Sequence, residues 1–446
     1  MFKQIILSII MLSTVFSQVN IKFEKHILPN GLNLIIHEDH SIPIVSVNLW
    51  YHVGSGREKQ GKSGFAHLFE HMLFQGSKNV EKGNHFKLIQ DAGGTLNGST
   101  NTDRTNYWEI LPSNFLELAL YLESDRMGFL LDAMTQEKLD NQRDVVKNER
   151  RQNYENQPYG LASKIINENL YPPEHPYHWL TIGTQEDLSN ATLEDVMEFF
   201  KKYYVPNNAS LCIGGDINPK EVKKLVEKYF GEIPRGNEIE KMKPWIPVLN
   251  ENKYLTMEDN VKLPRIYINW LTVQHFTDDE AALDLLATIL SRGKNSRLYK
   301  SLVYEKKIAQ DVSAYNNSAE VSGSFGIVST AKQGASLKEI EEVINNELEK
   351  VKLEGVSEKE LELAKNETEA NFIYRLQSLG GFGGRTDQLN RYNIFVGDPG
   401  YFNKDLERYK KVSVEDIKRV ANVYLKQNGK VVLSAVPRGK TELKAQ

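Results

Sequence analysis

One cysteine, Cys212, stands in 446 residues. A lone thiol excludes an intramolecular disulfide, a lipid-modified cysteine at a leader cut, and any zinc site closed by several thiolates. Cys212 itself lies in Ser210-Leu211-Cys212-Ile213, just before Gly214-Gly215, and reads as a buried strand residue without chemistry. No block of one charge sign is present. The 55 Lys and Arg are interspersed with 59 acids, the net charge is -4 and the pI is near 6.3, which argues against a nucleic-acid partner. The only sustained apolar run, Ile5 to Phe16, is broken by Ser8, Ser13 and Thr14 and falls short of the roughly 20 residues a membrane-spanning helix needs. Preceded by Lys3 and closing on Val15-Phe16-Ser17, it reads as a signal peptide over residues 1–17, with the cut after Ser17. The mature chain is then expected to be secreted or periplasmic, with no stable membrane span; an uncleaved anchor is the alternative.

What the chain does contain is ample core material. Hydrophobic residues make up 40% and charged residues 26%, a globular profile. This length suits two domains of roughly 200 residues each. Compared with itself at a shift of roughly 220 residues, the chain shows matches in preserved order. Pro43-Ile44-Val45-Ser46-Val47-Asn48 parallels Pro264-Arg265-Ile266-Tyr267-Ile268-Asn269, and both alternate as strands do. Lys147-Asn148-Glu149 recurs as Lys365-Asn366-Glu367 within long helix-forming segments, and Leu193-Glu194-Asp195-Val196 recurs as Val414-Glu415-Asp416-Ile417. Each half reads as strands, a helix, more strands, a long helical stretch, a helix and a final strand. The expected fold class is α+β: two duplicated domains, each an antiparallel-rich sheet packed with helices. Residues 18–236 form the first domain in this reading and 261–446 the second. A linker over 237–260 is marked by Pro244 and Pro247 and the lack of a sustained apolar period.

The segment Gly64 to Gly76 reads GFAHLFEHMLFQG. Phe65, Leu68, Phe69, Met72 and Leu73 supply the apolar faces of a helix, with Gly76 as its C-cap. His67 and His71, four apart, stand one turn apart on one face, and Glu70 lies beside them. Imidazoles placed among Phe, Leu and Met cost desolvation energy unless something binds them. Two neutral imidazole nitrogens suit zinc, whose open catalytic sites add a third protein ligand and a water. A histidine pair on a plain surface helix is the bland alternative.

Through His67-Leu68-Phe69-Glu70-His71 and the downstream Arg143-Asp144-Val145-Val146-Lys147-Asn148-Glu149, the sequence resembles the pitrilysin/insulinase family of metallopeptidases over nearly its whole mature length. Within that family it resembles the short two-domain bacterial members and the mitochondrial processing peptidase subunits. The resemblance implies bound Zn2+ held by His67, His71 and Glu149, with Glu70 as the general base that takes a proton from the attacking water. It implies a zinc-dependent endopeptidase acting on peptides or unfolded polypeptides. Where the family often carries another acid, seven residues before the third ligand, this chain has Gln142, which hydrogen-bonds but accepts no proton. Gly93-Gly94-Thr95-Leu96-Asn97-Gly98-Ser99-Thr100 resembles the family's substrate-pairing edge strand, making Asn97 and Gly98 the expected substrate contacts. An ordinary Gly-Gly turn entering a strand is the competing reading.

The run Gly380-Gly381-Phe382-Gly383-Gly384-Arg385 lacks the Gly-Lys-Ser/Thr of a phosphate loop and fits a hinge or a loop lining a cavity. His26, His37, His40, His52, His85, His175, His178 and His275 lack metal spacing and are expected at the surface or in packing. Aligning Gly76 with Gly293 sets Asp284, Ala287 and Thr288 opposite His67, Glu70 and His71, so the second half should bind no zinc, Glu367 being an echo of Glu149. In the family a distant Arg and Tyr, seven residues apart, hold substrate. The frame opened here by Ser296-Arg297-Leu298 places Val303 and Gln310 at those positions, although Arg297 and Tyr304 share the spacing. The resemblance therefore implies a heterodimer with a related subunit that supplies the Arg/Tyr pair. Two other readings stay open: a non-catalytic partner subunit of the same fold, and a structural zinc module.

Overall fold

A computed structural model describes residues 19–446, so the expected signal peptide lies outside the described residues. The first half runs β1 (Glu24–Ile27), β2 (Asn33–Glu38), β3 (Ile44–Tyr51), α1 (Phe65–Met72), α2 (Asn84–Asp91), β4 (Thr95–Thr100), β5 (Thr105–Pro112) and α3 (Leu116–Phe129). It continues through α4 (Gln136–Arg150), α5 (Ala162–Leu170), α6 (Gln185–Asn190), α7 (Leu193–Tyr203), β6 (Ala209–Gly215) and α8 (Pro219–Phe230). The second half runs β7 (Lys253–Asp259), β8 (Arg265–Thr272), α9 (Asp278–Ser291), β9 (Ala309–Ser318), β10 (Gly323–Ala331) and α10 (Leu337–Glu354). It closes with α11 (Glu358–Arg375), α12 (Arg385–Val396), α13 (Phe402–Lys411), α14 (Val414–Tyr424) and β11 (Val431–Pro437).

The duplication expected from the sequence is visible in the sheets. The first has the order β1-β2-β6-β3-β5-β4 and the second β7-β11-β8-β10-β9, which is the first without β1. In each, one parallel pair, β2 with β6 and β7 with β11, is followed by antiparallel pairs. The matched sequence segments occupy equivalent elements, β3 and β8, α4 and α11, α7 and α14. The last two begin with the same capping box, Thr192 with Asp195 and Ser413 with Asp416.

Strand β3 shows why the halves cannot be cut apart in sequence order. Val45, Val47, Leu49 and Tyr51 face the main first-half core with Leu68 and Phe69. The alternate residues face a different layer: Ser46 Oγ lies 3.0 Å from Thr386 Oγ1, Trp50 Nε1 donates to Asp387 at 2.8 Å, and Asn390 Nδ2 donates to the Asn48 carbonyl at 2.8 Å. Thr386, Asp387 and Asn390 all belong to α12, from the second half of the chain. Reciprocally, Ala162, Ile166 and Leu170 of α5 pack with Val431, Leu433 and Ala435 of β11. A sheet buried on both faces needs two covering layers, and each half lends the other one helix.

Two expectations are corrected. The segment 18–236 contains a whole sheet and 261–446 all of the other but its edge strand, and each lacks the α5 or α12 cover that the other supplies. The connecting stretch 237–260 is not all linker, because Lys253–Asp259 forms the edge strand β7, in parallel register with Val431 to Pro437. Pairing with an already buried strand offsets its weak apolar pattern. No helix among the described residues is long and apolar enough to cross a membrane.

Candidate metal centre

Helix α1 is seated by Phe65, Ala66, Leu68, Phe69 and Met72, all buried. Phe69 stacks on Phe199 of α7 with ring centroids 5.7 Å apart. That leaves His67, Glu70 and His71 on the open face. The helix starts at Gly64, whose φ of +90° suits glycine, and its orphan N–H groups are taken by a residue outside it. Glu58 Oε2 accepts from Gly64 N at 2.9 Å and Oε1 from Ala66 N at 2.8 Å. Burial pushes the Glu58 carboxyl up to about 8, against the pull of those two amides. The expected C-cap at Gly76 is not realised. The helix stops at Met72, Leu73 takes the cap, and Gly76 sits at φ +87° in the turn beyond, after two 3-10-type bonds, Phe74 N to the His71 carbonyl and Gln75 N to the Met72 carbonyl, have tightened the exit.

Helix α4 is capped by Thr135, and its buried Leu139, Gln142 and Val146 lie on the same face as Glu149. Glu149 comes one residue before its end, where Arg151–Glu155 forms a π turn. Glu149 Oε2 lies 3.2 Å from His71 Nε2 and 3.8 Å from His67 Nε2. The two imidazole rings stand 4.8 Å apart and nearly perpendicular. Burial, then the neighbouring His71, pushes His67 down to about 4, so it is a neutral imidazole at neutral pH. The hydrogen bond with His71 draws the Glu149 carboxyl below its ordinary value, against the cost of its burial. Three ligands at 2.0–2.1 Å around one tetrahedral ion sit about 3.3 Å apart. The donor spacing and the donor set therefore fit a single zinc-sized cation.

Glu70 lies against β4 and is not among the grouped donors. Burial raises its pKa, opposed by the Thr100 hydroxyl and by the charges of His71 and Arg104. A Cβ on Gly98 would come 3.3 Å from Glu70 Cγ and 3.1 Å from the Tyr107 ring, so this strand position is closely packed against the acid. β4 is the outer strand of its sheet. Asn97 is exposed, and its Oδ1 accepts from Gly98 N at 2.8 Å, covering a backbone donor that an added strand would use.

Among the described residues a second donor cluster, His85, Glu109 and Glu123, is filled by a guanidinium instead. Arg126 donates to both Glu123 oxygens, lies 3.5 Å from Glu109 Oε1 and stacks over Tyr107. His85 is a buried packing residue, edge-on to Phe74.

In the second half the donors are absent. Asp284 accepts from Asn316 Nδ2 at 2.9 Å and from the Tyr409 hydroxyl at 2.7 Å, Thr288 donates to the Asp284 carbonyl, and Glu367 pairs with Arg292 at 2.6 Å. Gln142 is buried and donates to Asn141 at 2.9 Å. Arg297 is held by both oxygens of Glu360, at 2.7 and 2.8 Å, while Tyr304 is 71% exposed. The glycine-rich segment lies on the first sheet: Phe382 meets Trp108 edge-on at 5.6 Å, and Gly383 N donates to Asp387. Glu58 and Arg104 were not evident from the sequence. Glu58 lies in a loop without periodicity, and only a carboxylate shortly before the helix start hinted at a cap.

Residues 33–174 match the family described as Insulinase (Peptidase family M16), and residues 190–368 match the one described as Peptidase M16 inactive domain. The zinc protease PqqE of Helicobacter pylori is 30% identical over 409 residues, covering 91% of this chain and 90% of that protein. The crystal structure of a protease from Helicobacter pylori superimposes with a TM-score of 0.86 at 28% identity, covering 94% of this chain and all of that one. The periplasmic protease PqqL from Escherichia coli shares the fold at a TM-score of 0.77 and 18% identity. This chain covers 49% of it, with 96% of its own length matched. The chain belongs to the insulinase family of peptidases, peptidase family M16.

Proposed function

We propose that this protein is a zinc-dependent endopeptidase that hydrolyses peptides or unfolded polypeptides, with His67, His71 and Glu149 as metal ligands and Glu70 as the catalytic base. One observation carries the reading: two imidazoles from α1 and one carboxylate from α4 converge at a spacing that suits one ion, while the fourth polar group on that face, Glu70, stays free of the cluster. Zinc bound there would supply Lewis acidity, lowering the pKa of a water and polarising the scissile carbonyl. Glu70, largely buried beside Thr100, takes the proton from the attacking water and returns it to the departing amine. Asn97 and Gly98 offer the free edge of β4 to an extended substrate, which favours unfolded chains without reading their sequence.

The zinc site is half of the proposed enzyme. Arg297 is committed to Glu360, and Val303 and Gln310 occupy the positions where family members carry the Arg and Tyr. A related but different subunit supplying that pair completes the site. Correspondence to half the length of PqqL supports an assembly of two such units. The signal-like N-terminus supports a secreted or periplasmic location. The test is metal analysis and peptide digestion of the unaltered chain and of Glu70→Gln, alone and mixed with paralogues from the same source. One zinc in both proteins, with hydrolysis lost only in the variant, is expected. Loss of zinc in Glu70→Gln would make Glu70 a ligand and overturn its role.

A further inference from the structure

Between the two halves, directly beyond the end of β4, lies a cavity of about 450 Å³ lined by Trp50, Arg104, His275, Asp387, Arg391 and Phe395, among others. Asn101 and Thr102, the residues that follow β4, form part of its wall. An extended chain laid along β4 past Glu70 therefore runs toward it. Two arginines face this space with donor capacity to spare. Arg104 uses a single nitrogen, Nη1, for its bonds to the Ser99 carbonyl at 2.7 Å and to Asn106 Oδ1 at 3.1 Å. For Arg391, no acceptor lies within hydrogen-bonding distance and no ion pair forms among the described residues; its guanidinium only rests 5.1 Å from the Phe276 ring.

The acids nearby are already committed. Asp387 Oδ1 accepts from Trp50 Nε1 and Asn106 Nδ2, and its Oδ2 accepts from Gly383 N. Asp103 accepts from the Tyr177 hydroxyl at 2.6 Å and from Glu320 N at 2.9 Å. Each of these acids is thus hydrogen-bonded on both oxygens, while the guanidinium forks stay open. A planar fork matched to a carboxylate is the strongest hydrogen bond the side-chain repertoire offers such a cavity. Trp50 and Phe395, edge to face at 6.1 Å, form an aromatic wall suited to the aliphatic stem of an acidic residue.

We propose that this cavity is a substrate subsite in which Arg104 and Arg391 bind a carboxylate of the peptide lying on β4. The inference rests on the peptidase reading above. The carboxylate comes from an acidic side chain or from the peptide's C-terminus, and both present the same two oxygens. Since the cavity carries about as many acids as arginines, selectivity comes from the open N–H geometry and not from a net field. The preference should therefore persist at moderate salt.

The experiment uses the zinc-loaded full chain bearing Glu70→Gln, and calorimetric binding of extended decapeptides. One set carries Glu at successive positions against Gln at the same positions, and another carries a free against an amidated C-terminus. Replacing the recognised carboxylate should weaken binding about 10-fold, and adding Arg391→Gln should erase that difference. Arg391→Lys, which keeps the charge but not the fork, should restore part of it. The set that responds identifies the source. Equal binding of Glu and Gln peptides and of free and amidated ones would overturn the subsite, as would absence of binding by every carboxylate peptide. Hydrolysis by the unaltered chain without carboxylate preference would count against the subsite alone. Carboxylate-dependent binding without hydrolysis, even when the unaltered chain is mixed with paralogues from the same source, would count against the peptidase reading alone.

Discussion

The carboxylate of Glu58 accepts the backbone N–H of Ala66 at 2.8 Å, so the first turn of the motif helix is closed by a residue from the loop before it. Burial raises this carboxyl from 4.5 to about 8. The folded chain thus holds a proton that the unfolded chain has already released between those values. Stability is then lost as pH rises through that window and levels off above about 8. Gln at this position does not titrate. The thermal midpoint of the unaltered chain should fall more steeply between pH 5 and pH 8.5 (roughly the window's edges) than that of Glu58→Gln. Parallel curves for the two proteins would mean that Glu58 is ionised throughout.

Removing the third donor should cost metal before it costs fold. Glu149 is one-third exposed at the end of α4, and its side chain anchors nothing in the core. Glu149→Gln should lower zinc affinity by at least about 100-fold, since altering even the groups around ligands costs 10- to 100-fold, while the circular dichroism spectrum stays unchanged. Competition with a chelator measures it. Retention of tight zinc would remove Glu149 from the ligand set.

The second half should hold no tight zinc, because Glu367 is paired with Arg292 and Asp284 is saturated by Asn316 and Tyr409. In His67→Ala with His71→Ala the metal content of the chain should fall to background in elemental analysis. A residual full equivalent would place a second site elsewhere.

Much of this was legible in the sequence because it is local. The spacing of His67, Glu70 and His71 within an apolar run fixes their shared helix face, and alternation in Pro43 to Trp50 marks β3. The repeat predicts two sheets of one order, and they are found. What sequence could not reveal is pairing at a distance. The alternation of β3 leaves open what faces Ser46, Asn48 and Trp50; α12 buries them, and nothing in the pattern of α12 names the sheet it covers. Arg104 and Arg391 lie at opposite ends of the chain and share a wall only because of that exchange. The seven-residue spacing of Arg297 and Tyr304 shows the converse. Glu360, brought in by α11, settles what Arg297 does.

Arg297→Ala should therefore act on stability and not on turnover. The ion pair is partly exposed, which limits its loss to about 1 kcal/mol. Assayed with an activating partner, kcat/KM should stay within about twofold of the unaltered chain, whereas loss of a donor to the reacting oxygen costs about 100-fold or more. A drop of that size would place Arg297 in the site and remove the need for a second subunit.

The exchanged helices predict one cooperative unit. Leu389 of α12 is fully buried against Ile35 and Cys212 of the first sheet, although it belongs to the second half of the chain. Leu389→Ala should destabilise the protein by about 2–5 kcal/mol, the range for a large core side chain cut to alanine. The damage should appear in the first half: amide exchange should quicken in β3 and β6, whose polar positions α12 seals, as well as in α12. Three of the five tryptophans, Trp50, Trp108 and Trp270, lie in strands divided between the two sheets, so tryptophan fluorescence reports on both. Fluorescence and far-UV circular dichroism should then follow one coincident denaturant transition in the unaltered chain. Two separated transitions, or first-sheet amides that stay protected in Leu389→Ala, would show that each sheet folds on its own and that the helix exchange contributes little to holding the halves together.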